Sequence, residues 1–158
     1  MSASVGRQVF EAILARLRRI DGAAPMRNDL RGRIYAQRPS YDALNGELPA
    51  AFVFLANETR GEPSGDRVAR ERTLTIVGVV RRSTDAGLAL EDLLADFDRV
   101  LETEDKYLSV DAPKRNLLSG EMTITSSEFE LPVDASNVEF VALDVRCRWP
   151  HIRGNPDK

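Results

Sequence analysis

TLTIVGVVRRSTDAGLALEDLLADFDRVL, residues 73–101, contains the change of hydrophobic period on which the fold reading turns. In its first third Leu74, Ile76 and Val80 alternate with Thr73, Thr75, Val77 and Val79, so a strand with apolar character on both faces is expected. The remainder steps by threes and fours. Ser83, Thr84 and Asp85 offer caps, and Leu90, Leu93, Leu94, Phe97, Val100 and Leu101 form one stripe under an acidic outer face, which predicts an amphipathic helix.

Toward the N-terminus the strand reading extends back to Arg67, giving residues 67–82. At about 3.3 Å per residue such a strand outruns a small sheet, so its first end is expected to project as an arm. Residues 57–66 gather Gly61, Pro63, Ser64 and Gly65 and read as an exposed, mobile loop too long for a tight hairpin. Residues 50–55 place Phe52 and Phe54 on one face and Val53 and Leu55 on the other, the pattern of a central strand covered on both sides. A short strand over 33–35 precedes a loop with Pro39, Asn45, Gly46 and Pro49. The chain begins with a helix over 4–20, in which Val5, Val9, Phe10, Ile13, Leu14, Leu17 and Ile20 share a stripe and Gly22 and Pro25 bring it to an end.

Beyond the acidic helix, a loop through Pro113 leads to residues 117–129, with Met122 and Ile124 inward. Residues 138–149 then alternate as Val141, Leu143, Val145, Cys147 and Trp149. These two segments make a terminal strand pair separated by a loop over 132–137. Pro150 is expected to stop the last strand and leave 151–158 as a loose tail. The expected fold is a single α+β domain over residues 1–150, a mixed, mainly antiparallel sheet of about four to five strands flanked by two helices.

At 158 residues the chain is long enough for one hydrophobic core, and 42% hydrophobic with 30% charged residues is an ordinary globular balance. No apolar run approaches a membrane span, and Arg7, Glu11 and Arg16 interrupt the stretch where a signal peptide needs unbroken apolar residues. A cytoplasmic protein is expected. Cys147 is the sole cysteine, so no intrachain disulfide forms, and its apolar surroundings predict a buried thiol.

The net charge of −3 conceals a strong division. Residues 1–38 carry eight arginines against three acids, a balance of +5, while residues 84–105 carry eight acids against Arg99, a balance of −7. Two readings stand side by side. Either the segments form complementary surfaces for association between copies or with partners, or they neighbour each other inside one subunit. For association the candidate side chains are Arg16 and Arg19 of the first helix, Glu58, Arg60, Glu62 and Arg67 around the polar loop, Arg81 and Arg82 at the strand end, and Asp92 and Asp96 of the second helix.

Chemistry is sparse. His151 has no second histidine or cysteine cluster to complete a metal site. Asp92 and Asp96 lie one turn apart but lack a partner base, and residues 61–65 lack the lysine and following helix of a phosphate loop. No catalytic, metal or cofactor residue is expected. A net-acidic chain with 6% aromatics also reads against tight nucleic-acid binding.

An amphipathic first helix, the run Leu48-Pro49-Ala50-Ala51-Phe52-Val53 leading into a strand, a polar loop, the Thr73-to-Val80 strand ending in Arg81 and Arg82, an Ala/Leu-rich acidic helix and a closing strand pair follow in order. Over residues 4–149 this chain resembles phage tail terminator proteins, the gpU-like minor tail or tail-completion family. The resemblance implies an α+β subunit of a hexameric ring at the head-proximal end of the tail, which stops tube polymerisation and offers a head-joining surface. It further implies as partners other copies of the chain, the tail tube protein and a head-completion or neck protein, with DNA passing through unspecifically and no membrane. The location would be the virion tail, assembled in the host bacterial cytoplasm. One departure is the arginine-rich stretch 16–38, which sits poorly with a uniformly acidic lumen. The rival readings are another head-tail connector or neck ring protein, and a small α+β enzyme or ligand-binding module drawing on scattered groups such as Tyr35, Tyr41, Asp144 and His151.

Overall fold

The computed structural model describes residues 4–40, 47–103, 122–130 and 137–154. In chain order the elements are α1 (Val5–Leu17), β1 (Ile34–Tyr35), β2 (Ala50–Arg60), β3 (Arg67–Arg81), α2 (Ala86–Asp98), β4 (Met122–Glu130) and β5 (Val138–Ile152). A π-helical turn over Arg99–Thr103 prolongs α2. The strands form one five-stranded sheet in the order β1-β2-β3-β5-β4, parallel only between β1 and β2. This is the expected α+β, mixed and mainly antiparallel arrangement.

The centre of the sheet is β3, because β5 pairs with it from Arg67↔Ile152 to Arg81↔Val138 while β2 occupies its other edge. The segment read as central, β2, lies one place further out. Only Ile34 and Tyr35 of β1 pair with its outer edge, and Leu55 is 44% exposed. Its first residues still have both faces covered, since Ala51 and Val53 join the helix side and Ala50 and Phe52 the other, which is why the sequence there reads as fully buried.

Both helices cover the same face. Val5, Val9, Ile13, Leu14 and Leu17 of α1 and Leu90, Leu93 and Phe97 of α2 share one core with Ala51, Val53, Leu74, Ile76, Val80, Val141, Leu143, Val145, Cys147 and Trp149. The alternation of β3 and β5 thus selects which residues meet the helices. The opposite face holds a smaller cluster, Ala50, Phe52, Val77, Val79 and Val138, against which Tyr35, Phe54 and Phe140 lie half-buried. Tyr35 stacks on Phe52 with ring centroids 5.2 Å apart.

Ser4 opens α1 by accepting a hydrogen bond from Arg7 N at 3.3 Å. The helix ends at Leu17, short of the expected Ile20, yet Ile20 stays fully buried because the chain folds back at once. Gly22 takes φ 79°, which an L side chain rarely adopts, and Leu30 N donates to Ile20 O at 2.8 Å to close the returning loop. Over the sheet, Gly78 lets α2 approach β3: a Cβ there would lie 2.7 Å from Leu93 Cδ2 and 2.8 Å from Phe97 Cε2.

Three further expectations are corrected by the strand pairing. β2 continues through Arg60, with Asn57–Arg60 paired against Arg70–Thr73, so the loop expected over 57–66 shrinks to 61–66. Glycine and proline marked the turn correctly, but polar residues 57–60 pair as strand because their cross-strand partners are themselves polar. The arm expected at the start of β3 is accordingly no free strand but the middle of a three-stranded ribbon, β2–β3–β5.

The third concerns Pro150, which does not stop β5; the strand runs on to Ile152, and the tail expected over 151–158 is paired at its start. Arg153 N donates to Asp66 O and Asn137 O accepts from Arg82 N, so odd-numbered residues of β5 turn their backbone groups toward β3. Pro150 therefore aims its donor-less nitrogen at the other edge, beyond Cys147, the last β5 residue that pairs with β4 among the described residues. A proline is tolerated there. The terminal pair β4–β5 is present from Met122 onward; the expectations for 41–46, for the loop through Pro113 and the strand start over 104–121, for 132–136 and for 155–158 lie outside the described residues. Among the described residues no helix is long and apolar enough to cross a membrane.

Phe97 is fully buried, so Phe97→Ala is expected to cost about 3–5 kcal/mol through lost burial and a cavity. Gly78→Ala should cost about 1–3 kcal/mol by forcing α2 off the sheet. Both are read from urea unfolding midpoints; a wild-type midpoint for either contradicts this packing.

Candidate functional site

Polar side chains gather at three places. The first is the junction between the α1 exit loop and α2. Asp96, read from the sequence as part of an acidic outer face, has no exposed surface. Its Oδ2 accepts from Asn28 N and Asn28 Nδ2, both at 2.8 Å, and both carboxylate oxygens lie 3.1 Å from Arg27 N. Arg99 stands 3.8 Å away and donates to Pro25 O at 2.9 Å. A buried carboxylate is costly unless donors replace its water, and here the loop backbone supplies them. Asp92, one turn earlier, pairs with the Arg27 guanidinium at the half-exposed rim.

The same junction accounts for Arg16. It is 5% exposed, and its Nη1 donates to Leu101 O at 3.3 Å. The basic first segment and the acidic helix therefore meet inside one subunit, with Arg16 and Asp96 buried there and Arg27 and Asp92 paired at its half-exposed rim. Helical spacing held the missed signal: Asp96 falls three residues after Leu93 and four before Val100, within the apolar stripe.

The second gathering reinforces the ribbon. Glu58 Oε1 accepts from Arg70 Nε at 2.7 Å, and Oε2 accepts from Arg72 Nη2 at 2.7 Å and Nε at 3.2 Å. Arg60 reaches the same carboxylate at 3.7 Å. Arg72 Nη1 also donates to Gly6 O at 2.9 Å, tying the ribbon to the first turn of α1. Both guanidinium groups lie near the buried Trp149 ring, at 5.8 and 5.4 Å from its centroid. Partial burial alone would push the Glu58 carboxyl up, but the hydrogen bonds and charges of Arg72 and Arg70 outweigh it and hold the group below the usual carboxylate range.

The third is an open cleft of about 400 Å³ at the turn end of the ribbon. Arg67, Val68 and Ala69 of β3, Arg148 and Pro150 of β5, and Glu62 of the turn line it. Of the sequence candidates, only Glu62 and Arg67 meet here. Arg19, Arg81 and Arg82 are exposed elsewhere, the last two at the opposite end of β3, where Arg82 Nε stands 3.9 Å from Glu139.

Of the groups that an enzyme reading drew on, Tyr35 and Asp144 are each engaged with neighbours on the sheet. Tyr35 is engaged by Phe52, Asp144 accepts from Thr75 Oγ1 at 2.8 Å, the backbone of His151 pairs with Val68, and Tyr41 lies outside the described residues. Among the described residues no group of three His, Cys, Asp or Glu side chains is gathered for a metal ion. The Cys147 thiol is buried as expected, and burial pushes it up to about 12 against the weaker opposing charges of Arg16 and Arg72, so it stays protonated and unreactive at neutral pH.

These geometries separate acids that look alike in sequence. Asp96→Asn should cost about 2–4 kcal/mol, because it faces an amide donor with donors. Asp92→Lys should cost about 0–1 kcal/mol, the usual range for a half-exposed ion pair. Thermal unfolding of both variants checks this, and equal effects would contradict it. Glu58, whose folded-state affinity for protons is lowered, contributes stability above its unfolded value of 4.5 and loses it as pH falls through the lower folded value. Glu58→Gln should therefore flatten the loss of stability below about pH 4.5; an unchanged acid limb would contradict the clamp. No family model and no curated protein matches the chain, so the likeness to tail terminators rests on the order and local character of its segments.

Proposed function

We propose that the chain is a structural ring subunit of the phage tail terminator kind, closing the head-proximal end of a tail tube and offering a surface for head joining. The observation that carries this reading is the β2–β3–β5 ribbon. Its end around residues 59–67 is exposed, yet β3 and β5 remain paired out to Arg67↔Ile152 and the Glu58 clamp ties the ribbon back to α1. A stiff polar extension of this kind gives a subunit reach toward a neighbour or a tube end. The polar side chains behind it are committed to one another, which suits a scaffold better than a site where polar groups converge on a substrate.

Arg16 and Asp96 are buried within the subunit, so they do not supply the ring's complementary patches, and Arg27 and Asp92 are paired with each other. Among the described residues, the ribbon end and the outer side of α2 are two surfaces open to contact.

The test is assembly. Native mass measurement and electron imaging should find rings of about six copies, either with the chain alone or after mixing with tail tube protein, and capped tubes should stop lengthening. A strict monomer at high concentration both alone and with tube protein, leaving tube growth unchanged, would contradict the proposal.

A further inference from the structure

Leu88 is 69% exposed, the more exposed of the two large apolar side chains that the described residues leave in solvent. It lies in the first turn of α2, with Asp85 at the N-cap before it and Glu91 three residues on, where i and i+3 side chains are neighbours. Both acids are exposed. In contrast to Asp92 and Asp96, Glu91 makes no ion pair or hydrogen bond among the described residues. The outer start of α2 is thus an apolar knob flanked by uncommitted negative charge.

The cleft at the ribbon end has the opposite character. Val68, Ala69 and Pro150 give it apolar walls, and Arg67 and Arg148, both exposed and without an ion pair among the described residues, outnumber Glu62. The two features stand at opposite ends of β3, whose fifteen residues span about 45 Å at the usual rise. Apolar knob and apolar cleft, acids and arginines, complement each other, but neither complements itself.

We infer that the first turn of α2 of one subunit seats in the ribbon-end cleft of the next copy, Leu88 against the wall that Ala69 and its cross-strand partner Pro150 form on one face and Glu91 toward Arg148 and Arg67. This rests on the ring reading and deepens it by naming the contact. Because the two patches differ and lie at opposite ends, the contact is heterologous and propagates head to tail, the type that closes rings. Burial of Leu88 supplies the non-directional attraction, and the charge pairs fix the register.

A charge exchange tests the contact. Glu91→Arg alone and Arg148→Glu alone should each weaken association about tenfold or more in sedimentation experiments, and the two together should return it to within about threefold of wild type, since the pair is re-formed with reversed sign. Leu88→Asp should prevent assembly. All three residues are exposed, so melting temperatures should stay within a few degrees of wild type. Rings that form normally in the single variants, or no recovery in the combined one, would overturn this contact while leaving the ring reading standing. Rings that persist in Leu88→Asp but no longer cap tubes would assign the knob to the tube protein and overturn docking between copies. A wild-type chain that never associates, alone or with tube protein, would overturn the contact and the ring reading together.

Discussion

A carboxylate with no exposed surface must be surrounded by donors, and at Asp96 these come from a loop nearly seventy residues earlier in the chain. That requirement fixes the exit of α1. Residues 20–30 turn back through Gly22 and close on themselves, presenting the amides of Arg27 and Asn28 to α2. Arg16 adds a second tie, to the carbonyl of Leu101 in the turn that prolongs α2. The helices therefore behave as one layer, laid on β3 where Gly78 leaves room for Leu93 and Phe97. If the carboxylate lost its donors, the cost would fall on the layer as a whole, because hydrogen-bonding groups buried there have no water to turn to.

This constraint also decides what the surface can do. Much of the charge division that looks like a binding device in the sequence is consumed in holding the helix layer together. Glu58 is consumed likewise, between Arg70 and Arg72, in holding the ribbon to α1. Among the described residues, uncommitted side chains include Leu88 and Glu91 beyond one end of β3 and Arg67 and Arg148 at the other. A subunit that presents two different patches at the two ends of β3 is suited to repeating contacts with its own kind, and that is the physical content of the ring proposal.

The α+β class, α2 and the alternation of β3 and β5 were legible because one face of each is buried by a single core, so the hydrophobic period survives intact. β2 was legible only as far as both its faces are covered. Beyond Leu55 its pairing depends on Glu58 meeting Arg70 and Arg72 across the strand, a relation between distant residues that local composition does not encode. Pro150 misled for a related reason: whether proline ends a strand depends on which edge its nitrogen faces, and only the register of β4 and β5 determines that. The roles of Asp96 and Arg16 were partly legible, since both fall within apolar stripes, but acidic and basic helices are so often solvated that composition pointed outward. The cleft at the ribbon end joins Glu62 and Arg67 to Arg148 and Pro150, and that neighbourhood follows from the pairing of β3 with β5 rather than from any local motif.

The claim beneath all of this is that the acidic helix is turned inward at Asp96, making loop 20–30 part of the helix layer. Amide hydrogen exchange of the native chain measures it directly at two backbone groups. The Arg27 and Asn28 amides, both donated to the Asp96 carboxylate, should exchange as slowly as amides in the middle of α2, despite lying in a loop. Exchange at the rate of an exposed loop at both positions would contradict the account.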